Sequence, residues 1–160
     1  MNNFDKAIIK TLKHEGGSEI TNDPTDKGGL TKYGISQKAY PDLDIASLTE
    51  DKAKLIYKKD YWDAIKGDEI INLKVSQSIF DFAVNAGPKR SIILAQRASG
   101  VIDDGIVGKI TLSEWNSVNP ELFVRGFAIE KIKFYRDIVV SNHSQRKYII
   151  GWINRALEGL

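Results

Sequence analysis

Apolar residues recur at helical spacing along most of the chain, and the pattern is seriously interrupted near the N-terminus, where residues 16–35 are rich in Gly, Asp, Asn, Pro and Thr. Phe4, Ile8, Ile9 and Leu12 define a first helix over Phe4–His14, which Gly16 and Gly17 terminate. The stretch from Ser18 to Ile35 reads as turns around a short β-ribbon, with Leu30, Tyr33 and Ile35 as its strand-like residues.

The remainder reads as helix. Ser47-Leu48-Thr49-Glu50 has a capping-box pattern and opens a helix that buries Ala53, Ile56, Tyr57 and Trp62. Further helices are expected over Leu73–Ala86, from Pro88 until Gly100, over Ile110–Trp115, from Pro120 to about Val140, and over Ser144–Leu157. Asp103-Asp104-Gly105 forms a turn. The fold class is therefore α+β and predominantly helical, with a small β-ribbon lobe after the first helix. Residues 1–90 and 91–160 form two regions, the second packed on the first.

Composition excludes several function classes. The absence of cysteine rules out disulfides and thiolate metal sites, so folding is independent of redox compartment. The two histidines, His14 and His143, fit no metal-ligand pattern, and no metal or cofactor is expected. A net charge of +2 without a concentrated basic stripe argues against a nucleic-acid partner. Neither an export signal nor a membrane-spanning run is expected, because no basic stretch leads into an apolar segment and no run of about 18 apolar residues occurs. The last helix has Tyr148, Ile149, Trp152, Ile153, Ala156 and Leu157 on one face, with Arg146, Lys147 and Arg155 supplying positive charge. Such a helix can touch membranes, although core packing is the commoner fate of its apolar stripe.

The chemistry concentrates around the glycine-rich lobe. Glu15 falls at the negative end of the first helix, which favours a protonated carboxyl and suits a general acid, while Asp23, Asp26 and Thr31 follow in the adjoining turns. Glycosidic cleavage needs an acid beside the leaving oxygen and a carboxylate or water opposite it. Taken singly, each residue has a plainer reading: a solvated Glu, turn-forming Asp, strand-forming Thr31 and Tyr33.

In combination, Glu15-Gly16-Gly17 followed by Asn22-Asp23-Pro24, Asp26, Gly28-Gly29, Thr31 and Tyr33-Gly34-Ile35 resembles the N-terminal signature of glycoside hydrolase family 108, a group of phage and bacterial lysozymes. Ser18 departs from it, standing where the family commonly has an aromatic residue. Tyr61-Trp62-Asp63 and the run Phe80–Gly87 also look like that family, and Leu94-Ala95-Gln96, Asp104–Leu112 and Gly151–Arg155 are similar to its peptidoglycan-binding helical region.

The resemblance implies a lysozyme-like fold and hydrolysis of the β-1,4 bond between N-acetylmuramic acid and N-acetylglucosamine in peptidoglycan. Glu15 would be the general acid, with Asp26 and Thr31 positioning the attacking water. Asp23 is the alternative second carboxylate, since spacing does not settle which of the two faces Glu15. Asp23, Tyr33 and Asn85 would contact substrate, helix capping being the plainer role for Asn85. The implied role is a monomeric phage endolysin, held in the host cytoplasm until a holin releases it to the wall in the periplasm. A lytic transglycosylase, a non-catalytic wall-binding module and a chitin-degrading enzyme are the competing readings.

Overall fold

The first helix, α1 (Asn3–His14), begins at Asn2, whose side chain accepts from the Asp5 amide while the Asp5 carboxylate accepts from the Asn2 amide, a closed capping box. It ends at Glu15 in a Schellman turn: Gly16 and Gly17 both lie at positive φ, and the Gly17 amide donates to Leu12 O. The computed structural model describes residues 1–22, 29–158 and 160.

A two-stranded antiparallel ribbon follows, β1 (Thr31–Lys32) and β2 (Ile35–Ser36), with Lys32 opposite Ile35. The ribbon is shorter than the sequence suggests, and Leu30 and Tyr33 lie outside its strands. Tyr33 and Gly34 are the two loop residues, at φ 54° and 74°, as a type I′ turn requires.

The rest is helical: α2 (Glu50–Tyr57), α3 (Leu73–Ala86), α4 (Pro88–Ser99), α5 (Lys109–Ser117), α6 (Pro120–Ser141) and α7 (Ile149–Leu157). The fold is thus predominantly helical α+β, as the patterning predicts. Two details differ. Thr49, rather than Ser47, caps α2 by accepting from the Lys52 amide, because Ser47 is already engaged with Asp44. The single last helix expected over Ser144–Leu157 is a 3₁₀ segment, His143–Tyr148, and then α7, the first stabilised by Asn142 Oδ1 accepting from the Ser144 amide and hydroxyl.

The core is continuous through both regions, with α3 at its centre, packed against α1, α4 and α6. A π-helical turn at Lys58–Trp62 extends α2 and turns Trp62 fully inward. There it meets Phe4 of α1 and Phe80 of α3 edge-to-face, at centroid distances of 5.5 and 5.3 Å. On the other side of α3, Phe82 meets Phe127 and Tyr135 of α6, and Trp152 of α7 stacks on Tyr135 at 5.2 Å. This second aromatic column fixes α7 against α6 and, through Phe82, ties both to α3.

Buried Gln96 organises the loop that precedes α5. Its Nε2 donates to Asp104 Oδ1, Ile106 O and Thr111 Oγ1, and its Oε1 accepts from the Gly105 amide. Among the described residues, no helix is long and apolar enough to cross a membrane.

Candidate active site

Glu15 occupies the junction between α1 and the ribbon, a position fixed from three sides. Its own amide donates to Thr11 O, completing the last turn of α1. The Gly17 carbonyl accepts from the Tyr33 amide at 3.0 Å, tying the helix end to the hairpin turn. The Tyr57 hydroxyl donates to Tyr33 O at 2.9 Å, holding that non-glycine residue in its left-handed conformation. Gly34 packs so closely behind Glu15 that a Cβ added there would lie 2.7 Å from both Glu15 Cβ and Tyr57 Oη.

The Glu15 carboxylate accepts from Arg155 Nη2 at 3.0 Å, across 140 residues of sequence. The same guanidinium nitrogen lies 3.7 Å from Asp81 Oδ1. The sequence counts Arg155 among the positive charges flanking an amphipathic helix whose apolar stripe is expected to pack into the core. The structure turns it inward, because Trp152, one helical turn earlier, is stacked on Tyr135 and Ala156 is buried beside it. Burial works against the Arg155 cation, but Asp81 and Glu15 outweigh it and hold the guanidinium above its usual range. Burial likewise pushes the Tyr57 hydroxyl up, helped by the Glu15 charge, so it stays a neutral donor to Tyr33.

Thr31 stands in β1, its hydroxyl donating to Gly29 O at 3.1 Å and its backbone bridged to Thr21. Tyr33 is buried at the hairpin turn. Asn85 is exposed near the end of α3, but Gly87 caps the helix and Asn85 Oδ1 accepts from the Tyr135 hydroxyl at 2.7 Å. That bond ties Asn85 into the aromatic column that positions α7. Asp23 and Asp26 lie outside the described residues. No group of three or more acidic or histidine side chains able to hold a metal occurs among the described residues.

The Glycosyl hydrolase 108 family matches residues 8–87, half of the chain, which includes Glu15, the ribbon and Asp81. The chain belongs to glycosyl hydrolase family 108. A second family, described as Predicted Peptidoglycan domain, matches residues 90–157, so the helix that delivers Arg155 to Glu15 lies in the peptidoglycan-binding region of this family 108 enzyme. Among the solved structures that match is that of SagA from Brucella abortus, 26% identical, with a TM-score of 0.73 over 96% of this chain and 93% of that one. No curated protein matches significantly. The enzyme is a glycoside hydrolase that acts on peptidoglycan.

Behind Asp81, the family 108 enzyme buries a lysine. Lys131 is 5% exposed, its ammonium 4.4 Å from the centre of the Phe127 ring, and it shares a cavity of about 170 Å³ with Asp81. Burial lowers its pKa to about 8, against the partial support of Asp81. The unfolded chain keeps the ordinary lysine value, so below pH 8 the folded state carries the full cost of the buried charge. That cost declines as pH rises through 8 and is gone above about 10.5. Lys131→Met should therefore stabilise the enzyme by roughly 3 kcal/mol at pH 7, which corresponds to about 6–12 °C in melting temperature. The advantage over the parent should shrink between pH 8 and 10.5 in thermal melts, and a pH-independent difference would contradict the buried charge.

Proposed function

We propose that this enzyme is a muramidase, hydrolysing the β-1,4 bond between N-acetylmuramic acid and N-acetylglucosamine, with Glu15 as general acid. The observation that carries the reading is the placement of Glu15: a half-buried carboxyl at a helix end, backed by a hairpin turn whose residues belong to the same family signature. In this reading Glu15 gives its proton to the glycosidic oxygen as the bond to the anomeric carbon breaks, and water completes the hydrolysis at that carbon. Asp26, with Thr31, positions the water, and Asp23 is the alternative.

Residues 91–160 serve as the wall-binding half, and the biological role is that of a monomeric phage endolysin released to the periplasm by a holin. The peptidoglycan-domain match supports the first part of this.

The test is mass spectrometry of fragments released from purified Gram-negative sacculi, with new sugar ends labelled by borohydride reduction. Reducible N-acetylmuramic acid ends are expected. Anhydro ends would make the enzyme a lytic transglycosylase, and binding without release would leave a wall-binding module.

A further inference from the structure

In the resting enzyme Glu15 is engaged as the acceptor of a charge-assisted hydrogen bond from Arg155, yet a general acid must carry a proton. When Glu15 takes that proton from solvent, the bond to the cation weakens, and the guanidinium, only 26% exposed, needs another anion. Asp81 supplies one. Its Oδ1 is 3.7 Å from the nitrogen that now contacts Glu15 and, among the described residues, is buried with no hydrogen-bond partner. Arg155 Nε is likewise buried without a partner among them. A shift of under about 1 Å would bring Arg155 and Asp81 to hydrogen-bond distance.

We infer that Asp81 is a second berth for the Arg155 guanidinium, which moves between Glu15 and Asp81 as Glu15 loses and gains its proton. Both are positioning residues: they set the charge state of the acid without touching the reacting atoms. Asp81 allows Glu15 to protonate without stranding a cation. Arg155, delivered by α7, couples the acid to the peptidoglycan-binding region.

Other charges face this pair. From α1 comes Lys10, with Glu15 itself just beyond that helix, and from α6 come Lys131 and Tyr135. Glu158, just beyond α7, pairs with His14, while Tyr57 and Tyr61 face Glu15 from α2 and the π-turn. Burial holds Tyr135 neutral, its pKa pushed up to about 12. Among the described residues, Asp81 is the carboxylate besides Glu15 that stands within one short step of Arg155.

The inference rests on Glu15 being the general acid, and its test separates the two. The rate of glycan release is measured against pH for the parent, Asp81→Asn, Arg155→Gln and Arg155→Lys, with folding checked by near-ultraviolet circular dichroism. Asp81→Asn removes the competing anion, so the alkaline limb of kcat should move by about one unit toward acid pH, costing roughly tenfold on that limb. Arg155→Gln should move the limb the opposite way, and Arg155→Lys should keep it near the parent position. Limbs that stay in place while kcat merely drops would overturn the two-berth inference and leave Glu15 as the acid. Full activity in Glu15→Gln would overturn both. Crystal structures of the unaltered enzyme on either side of the limb give a readout that needs no variant. Arg155 within about 3.2 Å of Asp81 at the lower pH supports the switch, and an unmoved guanidinium overturns it.

Discussion

Glu15→Gln will lower the rate of peptidoglycan cleavage by about 100-fold or more and leave the fold standing. The amide keeps the size of the carboxyl, and the Arg155 cation has Asp81 Oδ1 3.7 Å from its Nη2 to turn to, so it is not left without an anion. What is lost is the transferable proton, which no rotamer of glutamine restores. The stability change should stay within about 1 kcal/mol, since both side chains are partly open to solvent and the ion pair is weakened by screening. Release of soluble fragments from sacculi, measured beside a thermal melt, checks both halves. More than about a tenth of the parent rate in a folded variant would remove Glu15 from the acid role and return attention to the carboxylates of residues 23–28.

The helices were legible because their ends carry local chemistry. Asn72 caps α3 and Pro88 opens α4, which Gly100 closes at positive φ, and these are signals a sequence displays directly. Tyr33 was misread as a strand residue because β-propensity speaks for an aromatic there, whereas the left-handed turn is held from outside by the Tyr57 hydroxyl, 24 residues away. Glu15 could be singled out from its helix-end position and its neighbours. Arg155 could not, since a basic residue on an amphipathic helix ordinarily points to water, and only the stacking of Trp152 on Tyr135 sends it inward. Asp81 offered a weak signal. A charge between Phe80 and Phe82, both buried, lies beside an apolar stripe and needs a partner, but nothing local says that the partner is 74 positions further on.

The hairpin turn is as important to the placement of Glu15 as the helix that ends there, and Gly34→Ala should show this. Alanine at φ 74° costs about 1–2 kcal/mol from its Cβ alone. The new carbon would also lie 2.7 Å from Glu15 Cβ and 2.7 Å from Tyr57 Oη, and relieving that overlap costs about 1–3 kcal/mol more. Neither neighbour yields easily: Glu15 is anchored by the α1 terminus, and Tyr57 is buried and bonded to Tyr33 O. The turn must therefore back away or push the carboxyl out of register, and a displacement of about 1 Å can cost on the order of 100-fold in rate. Gly100→Ala separates strain from displacement, because Gly100 has nearly the same φ, 72°, with nothing within 4 Å of the added carbon. It should lose only the backbone term in a thermal melt and keep its rate on sacculi. If Gly34→Ala proved no worse than Gly100→Ala in stability and rate, the turn would not be what holds Glu15 in place, and the acid's position would have to be credited to α1 and Arg155 alone.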